Sequence, residues 1–204
     1  MKVRLQAVNV SHLRVVRSPP PQLTSDEECL EAFQGELDYI YRSLRRLGTP
    51  SSELDDLAQE VFLALRQSWD GYDRDRPLRP YLFGISFRIS AASQRKRRRE
   101  VTSGVIEVDE PGPGPDDTLL AKQVRAQLLA ALERVPLKRR AVLVMHDIDD
   151  VAVKDIAAAL SIPLFTVYSR LRKGRRELEG ALRKRPTPAP RASRAAAATG
   201  PGSR

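Results

Sequence analysis

The side chains best suited to binding a partner lie on one helix in the last third of the chain. Apolar spacing predicts a short helix over residues 154–160, a break at residues 161–163, and a second helix that starts at Pro163. Hydroxyl and cationic side chains occupy the outer positions of the second helix: Thr166, Ser169, Arg170, Arg172, Lys173, Arg175 and Arg176. This pattern predicts a helix-turn-helix, in which the second helix enters the DNA major groove.

The inner side of the same hairpin is apolar. Leu164, Val167, Leu171 and Leu178 recur every three, four or seven residues, and we expect them to form one buried stripe. Long charged side chains also solvate the outer face of many helices that bind nothing. The spacing alone therefore leaves DNA binding and a solvated surface equally open.

A second polar group lies in the first half of the chain and is acidic. It consists of Asp55, Asp56, Gln59 and Glu60. Clustered carboxylates can bind a metal or act in general acid–base catalysis, but no histidine or substrate-binding motif lies nearby. We expect a solvated edge or, as the more specific alternative, a surface that docks on another protein.

No pattern of catalytic residues accompanies these groups. Residues 84–88 resemble a nucleophile elbow but lack its second glycine, and no phosphate-binding glycine loop is present. The two histidines, His12 and His146, lie in unrelated settings. We therefore predict that the protein is not an enzyme and has no metal or cofactor.

Charge indicates the class of partner. The 204 residues carry a formal net charge of +9 and a pI of about 10.1, which favours DNA, RNA or an anionic membrane surface. A single cysteine, Cys29, excludes an intramolecular disulfide and fits the reducing cytoplasm that we expect as the location. No apolar run approaches the length of a membrane span, and the first 21 residues do not resemble a secretory signal.

Helices must position these groups, and apolar periodicity predicts them along most of the chain. The first runs from Thr24 or Ser25, with a capping-box pattern, to Gly48. The predicted inner positions of this helix are Leu30, Phe33, Leu37, Ile40, Leu44 and Leu47. A second helix starts near Ser52, and a third follows the loop 70–80 and ends in five consecutive cations at residues 95–99. Such a run favours nucleic acid, because phosphates neutralise it.

A composition change divides the chain. Residues 101–117 combine proline and glycine with acidic side chains and are predicted to be a flexible linker. Beyond it, Asp116 or Asp117 caps a helix with Leu120, Val124 and Leu128 on its inner side, and another helix covers about 137–145. We predict an all-α protein with an N-terminal extension (1–23), a helical domain (24–100), the linker (101–117), a helix-turn-helix domain (118–183) and a disordered tail (184–204).

Several motifs resemble the sigma-70 family of RNA polymerase sigma factors, in its extracytoplasmic-function (ECF) subfamily. Residues 53–63 (ELDDLAQEVFL) and 79–85 (RPYLFGI) resemble sigma domain two. Residues 143–147 (LVMHD), 155–163 (DIAAALSIP) and 166–171 (TVYSRL) resemble sigma domain four. The motifs are in the family's order and spacing.

The resemblance implies a subunit that binds core RNA polymerase, recognises the minus-ten and minus-thirty-five promoter elements, and promotes melting of the DNA. It assigns polymerase binding to the acidic edge of Asp55, Asp56, Gln59 and Glu60. It assigns minus-ten DNA to the loop and the following helix, where we select Arg74, Arg76, Arg88, Arg95 and Arg98. It assigns minus-thirty-five DNA to Thr166, Ser169, Arg170, Arg172, Lys173 and Arg176. Members of the subfamily are often held inactive by an anti-sigma factor, which is a further expected partner.

Departures from the family pattern concern DNA reading. Tyr81 stands where tryptophan is usual, and Phe87-Arg88 replaces the usual pair. Phe165 and Tyr168 replace a usual glycine and a usual basic residue at the start of the recognition helix. These changes predict an altered promoter sequence. The alternative function is a helix-turn-helix regulator that binds DNA without polymerase.

Overall fold

The computed structural model describes residues 24–100 and 119–183, and these ranges contain helices and turns without strands. The helices are α1 (Ser25–Gly35), α2 (Leu37–Leu47), α3 (Leu54–Ser68), α4 (Leu78–Glu100), α5 (Leu119–Glu133), α6 (Leu137–Leu143), α7 (Val153–Leu160) and α8 (Leu164–Arg183). We call α1–α4 the first module and α5–α8 the second module. The all-α class is confirmed. The predicted extension, linker, tail and helix cap at Asp116 or Asp117 lie outside the described residues.

The predicted first helix is two helices. The capping box at its start is confirmed: the Thr24 amide donates to the Glu27 carboxylate at 2.8 Å, and the Glu27 amide donates to Thr24 Oγ1 at 3.3 Å. The backbone departs from helical geometry at Glu36, just after Gly35. The break changes the phase of the apolar repeat, so Leu30 and Leu37 are exposed and their predicted burial is wrong.

The first module encloses its own apolar core. Ile40 and Leu44 of α2, Val61 and Leu65 of α3, and Leu82 of α4 are all buried in it. The helix α3 begins through a 3₁₀ turn at Ser51–Glu53, close to the predicted start at Ser52. This core fixes which face of α3 points outward.

The second apolar core is shared by both modules. It contains Tyr39, Leu47 and Phe83 from the first module, together with residues of α5–α8 such as Ile156 and Val167. The two modules therefore pack directly against each other. No helix in the described ranges is long and apolar enough to cross a membrane.

The helix-turn-helix forms as predicted, with corrections to its inner stripe. Ser161 adopts the left-handed conformation with φ 51° and ends α7, and α8 begins directly after Pro163. Val167 and Leu171 are buried, but half of Leu164 is exposed because it lies at the edge of the stripe. Leu120 and Val124 of α5 are also exposed, contrary to prediction.

Candidate protein and nucleic-acid interfaces

The four acidic-edge residues lie together on the outer face of α3. Asp55, Asp56, Gln59 and Glu60 are all exposed, because the intervening Leu57 and Ala58 pack into the core of the first module. The Tyr41 hydroxyl donates to Asp55 at 2.6 Å. This hydrogen bond, followed by burial, raises the pKa of Tyr41.

The predicted minus-ten loop is organised by aromatic rings that pack against one another. Trp69 and Tyr72 stack with centroids 5.6 Å apart, and Tyr72 and Tyr81 lie 4.8 Å apart. The Arg74 guanidinium lies 5.2 Å from the centre of the Trp69 ring and contacts Glu28 at 3.1 Å. Tyr81 therefore keeps an aromatic packing role, and Arg74 already has partners within the chain.

A cavity of about 490 Å³ lies between this loop and α7 of the second module. Its lining includes the rings of Tyr72 and Tyr81 and the cations Arg76, Arg88 and Lys154. Rings beside cations suit an unstacked base and its phosphates. The structure thus brings two of the predicted minus-ten cations to one site, which also has a wall from the second module.

The last two predicted minus-ten cations, Arg95 and Arg98, lie further along α4 than Arg88. All three are exposed and are spaced seven and three residues apart, so they share one side of the helix. The neighbouring Arg97 turns inward and donates to Glu53 at 3.0 Å. Within the run of five cations, Arg97 is therefore used to stabilise the fold, whereas Arg95 and Arg98 remain exposed at the surface.

The predicted minus-thirty-five residues also differ in how far they are exposed. Arg172, Lys173 and Arg176 are exposed, whereas Thr166, Ser169 and Arg170 are half-buried. Burial lowers the pKa of Arg170, and the nearby positive charge of Arg139 adds to the effect. Arg175, which also appeared in the polar pattern, is held by the Asp147 carboxylate at 2.6 and 2.9 Å.

Two exposed residues at the start of this outer face were not selected as site residues. Phe165 is 82% exposed and Tyr168 is 60% exposed. With a helical repeat of 3.6 residues, Phe165, Tyr168, Ser169, Arg172 and Arg176 form one stripe opposite the buried Val167 and Leu171. Plotting the predicted helix by this repeat would have placed both rings on the outer face.

The two modules are joined by buried polar contacts that we call the inter-module clasp. Arg140 is 5% exposed, and its guanidinium donates to three carbonyls, those of Val135 at 3.2 Å, Leu47 at 2.8 Å and Glu133 at 2.6 Å. Burial lowers the pKa of Arg140 to about 10, so the side chain stays charged at neutral pH. The Leu47 bond links α6 to the end of α2.

Asp149 forms the second part of the clasp. It accepts from the Tyr39 hydroxyl at 3.1 Å and from Arg46 at 2.7 Å, both in the first module. Its side chain is 9% exposed. Burial, and then the charge of Asp149, raises the pKa of Tyr39.

Two glycines permit the close approach of the modules. Gly48 has φ +89°, and a Cβ there would collide with the Arg140 guanidinium. A Cβ on Gly84 of α4 would lie 2.5 Å from the carbonyl oxygen of Ala159 in α7. Helices α4 and α7 therefore meet at backbone distance.

No group of three or more histidine, cysteine, aspartate or glutamate side chains in the described ranges is arranged to hold a metal ion. His146 and Asp147, which lie in the π-helical segment Val144–Ile148 directly after α6, contact each other at 2.7 Å. Together with Arg175 they form a polar contact within the second module.

Comparison with known proteins agrees with the two modules. Residues 32–100 match the family described as Sigma-70 region 2, and residues 125–178 match the one described as Sigma-70, region 4. Together these matches span more than half of the chain.

Individual relatives are distant but consistent. RNA polymerase sigma factor NccH of Alcaligenes xylosoxydans xylosoxydans is 26% identical over 70% of this chain and 80% of its own length. ECF RNA polymerase sigma factor SigW of Bacillus subtilis is 26% identical over 72% of this chain and 84% of its own. SigE of Mycolicibacterium smegmatis is 29% identical over 76% of this chain, which spans 61% of that relative.

Solved structures share the fold. The sigma factor RpoE in complex with the anti-sigma factor NepR, from Bartonella quintana, superposes with a TM-score of 0.61 at 22% identity, over 76% of this chain and 99% of that chain. CnrH in complex with the cytosolic domain of CnrY gives 0.53 at 22% identity, over 76% and 87%. With both regions matched in order and the relatives named as ECF sigma factors, the chain belongs to the ECF subfamily of the sigma-70 RNA polymerase sigma factors.

Proposed function

We propose that the chain binds core RNA polymerase, gives it specificity for minus-ten and minus-thirty-five promoter elements, and promotes DNA melting at initiation. It contributes no catalytic group of its own and acts in the cytoplasm with the polymerase. One observation carries the proposal: an exposed acidic face and two exposed basic faces occur on separate helices of a basic chain that contains both sigma regions. A DNA-binding protein acting alone has no use for the acidic face.

The acidic edge is the proposed polymerase-binding surface. Asp56, Gln59 and Glu60 point to solvent on a helix whose other side is rigidly packed. Charges carried on a rigid helix favour binding, because little backbone freedom is lost at the interface. They also repel nucleic acid, so this face and the DNA faces do not compete for the same partner.

The loop and α4 are the proposed minus-ten surface. Removing a base from the duplex stack costs a few kcal/mol. A ring such as Tyr72 or Tyr81 can replace part of the lost stacking, and Arg76 and Arg88 at the same cavity can neutralise the adjacent phosphates. Arg95 and Arg98 extend the cationic track along α4. This arrangement supports a role in holding separated strands.

The outer face of α8 is the proposed minus-thirty-five surface. Upstream DNA remains double-stranded, so a helix in the major groove is sufficient to read it. Exposed Arg172, Lys173 and Arg176 are free to reach phosphates and base edges, and the half-buried Arg170 lies at the margin. We also propose residues 24–100 and 118–183 as the two domains, with the acidic linker 101–117 between them.

An anti-sigma factor is a further proposed partner. The RpoE structure contains the anti-sigma factor NepR, and the CnrH structure contains the cytosolic domain of CnrY. Because the fold of the present chain is similar over 76% of its length, a comparable inhibitor would find equivalent helices here.

Charge reversal on α3 tests the function. We expect the double variant D56R/E60R to bind core polymerase at least about tenfold more weakly, which corresponds to about 1.4 kcal/mol. The matched control is E31R/D38R, which makes the same charge change at exposed positions of α1 and α2. Binding is measured by titrating labelled chain with core enzyme.

Equal loss in both double variants would mean that net charge, and not the acidic edge, determines binding. If the wild-type chain binds promoter duplex but not core polymerase, the alternative of a regulator acting without polymerase replaces the proposal.

A further inference from the structure

The start of α8 exposes two aromatic rings in an otherwise cationic face. Phe165 and Tyr168 are three residues apart and therefore neighbours on the helix surface. Neither faces the core, which takes Val167 and Leu171 from the opposite side. A phenylalanine that is 82% exposed gains nothing in folding, so its ring is available to a partner.

The surrounding charges favour a polyanion as that partner. Ser169, Arg172 and Arg176 continue the same stripe toward the C-terminal end of α8, and Lys173 lies beside them. The two arginines are exposed, and their guanidinium groups are the preferred partners of phosphate. A protein docking here would have to be strongly acidic, whereas double-stranded DNA carries this charge along its whole length.

The position along the helix determines what the rings can touch. In a helix-turn-helix, the N-terminal residues of the second helix contact base edges, while the rest of the protein holds the backbone. Phe165 is the second residue of α8 and Tyr168 is the fifth. The rings therefore lie where bases are read, and the arginines lie one to three turns further along.

The chemistry of phenylalanine then restricts the choice of base. Its ring neither donates nor accepts a conventional hydrogen bond, so it distinguishes bases by apolar contact. The apolar group on the edge of a base pair in the major groove is the C5 methyl of thymine. Tyr168 offers a similar ring with a hydroxyl that can reach a neighbouring polar atom.

We propose that Phe165 and Tyr168 are specificity-determining residues that read thymine methyl groups in the upstream promoter element. The inference rests on the proposed function, which supplies that element. Contacts from the arginines of the same stripe to phosphates strengthen binding to all sequences alike. The rings supply the preference for thymine at one or two positions.

Uracil-containing DNA tests this directly, because uracil lacks only the C5 methyl of thymine. Duplexes are first selected from a random pool with the full wild-type chain, alone and with core polymerase. Each thymine of the selected sequence is then replaced by uracil in turn. We expect about a fourfold loss of affinity at each contacted position, the value for one buried carbon group.

Variants assign the contact to a ring. For F165A, replacing thymine by uracil at one position of the duplex should no longer change the affinity. For Y168A, the same should hold at a neighbouring position. F165L keeps an apolar side chain and should retain part of the preference. The control L182A removes another exposed apolar side chain from the far end of α8 and should behave like the wild type.

The outcomes separate this inference from the proposed function. If uracil has no effect on the wild type at any position, the rings do not read methyl groups, even if the chain assembles with polymerase. If the wild-type chain fails to bind polymerase but prefers thymine, and F165A lacks that preference, the methyl-reading inference is supported and the proposed sigma function is wrong. If no duplex is selected under either condition, both fail. A uracil effect that persists in F165A and Y168A also overturns the assignment.

Discussion

The inter-module clasp and the outer face of α8 use the same residue type for opposite purposes. Arg140 of the clasp is 5% exposed and donates to three carbonyls. Arg172 and Arg176 of α8 are exposed, and their guanidinium groups face solvent. A buried cation whose donors are used within the chain stabilises a tertiary contact, whereas an exposed one retains its charge for a partner. The difference separates structural from binding arginines.

Asp149 and Asp147 show the same contrast between a buried side chain and an exposed one. Asp149 is 9% exposed and binds Tyr39 and Arg46 across the modules. Asp147 is 32% exposed and binds Arg175 within the second module. Buried hydrogen bonds to charged groups contribute more to stability than exposed ion pairs do. We therefore expect the loss of stability on substitution to decrease in the order Arg140, Asp149, Asp147 and the exposed arginines of α8.

Arg140 should have the largest effect. We expect R140A to lower the free energy of unfolding by about 3 kcal/mol, because it removes three hydrogen bonds of a charged group, although the Leu47 carbonyl keeps a second donor in Gln94 at 2.8 Å. The control R139A removes the adjacent arginine, which pairs with Glu177 at 2.7 Å in a half-buried ion pair, and should cost about 1 kcal/mol. Urea unfolding measures the free energy of unfolding of each variant. Equal losses would show that Arg140 of the clasp stabilises the protein no more than the Arg139–Glu177 ion pair does.

Asp149 comes next. We expect D149N to cost about 1–2 kcal/mol, since it leaves Arg46 without its charged acceptor. D150N is a matched control, because Asp150 is exposed and asparagine tolerates its left-handed backbone with φ 53°. The unfolding midpoints of the two variants should differ clearly. Identical midpoints would remove Asp149 from the clasp.

Asp147 should have a small effect that depends on pH. Hydrogen bonding to Arg175, together with the smaller effect of His146, holds the pKa of Asp147 below its usual 3.8. Its contribution is therefore present above that value and lost as the pH falls through the pKa of the folded state. D147N should cost at most about 1 kcal/mol at pH 7, and the difference from wild type should shrink below about pH 3.8. A difference that grows on acidification would contradict this.

The exposed cations Arg172 and Arg176 should contribute least to stability and most to the affinity for DNA. We expect R172A/R176A to change the free energy of unfolding by no more than about 0.5 kcal/mol. If both arginines contact phosphates, the slope of log affinity against log salt for duplex binding should fall by about 2. A slope equal to that of the wild type would show that these residues do not touch the backbone.

Periodicity predicted the helices well because burial of one face is a local property of the sequence. It failed at Glu36, where a one-residue break after Gly35 shifted the phase and exposed Leu37. It also placed Leu164 in the core, although that residue begins α8 at its edge. Both errors concern the phase of a helix, which apolar spacing alone defines poorly near helix ends.

The acidic edge was predictable because four polar residues alternate with buried ones on a single helix. The clasp was not, because nothing local distinguishes Arg140 from Arg139. Only the approach of α2 and the glycine at position 48 create the pocket that one of them enters. Phe165 was noted as a departure from the family pattern but was not selected as a site residue, because only hydroxyl and cationic side chains of this helix were selected.

Transcription with purified components tests the central claim most directly. Core polymerase is mixed with the full chain and with genomic DNA, and the 5′ ends of the products are mapped. The account predicts new start sites preceded by a shared pair of elements, with activity lost in D56R/E60R and retained in E31R/D38R. If the wild-type chain yields no start sites beyond those of core polymerase alone, the claim that it directs promoter recognition is wrong.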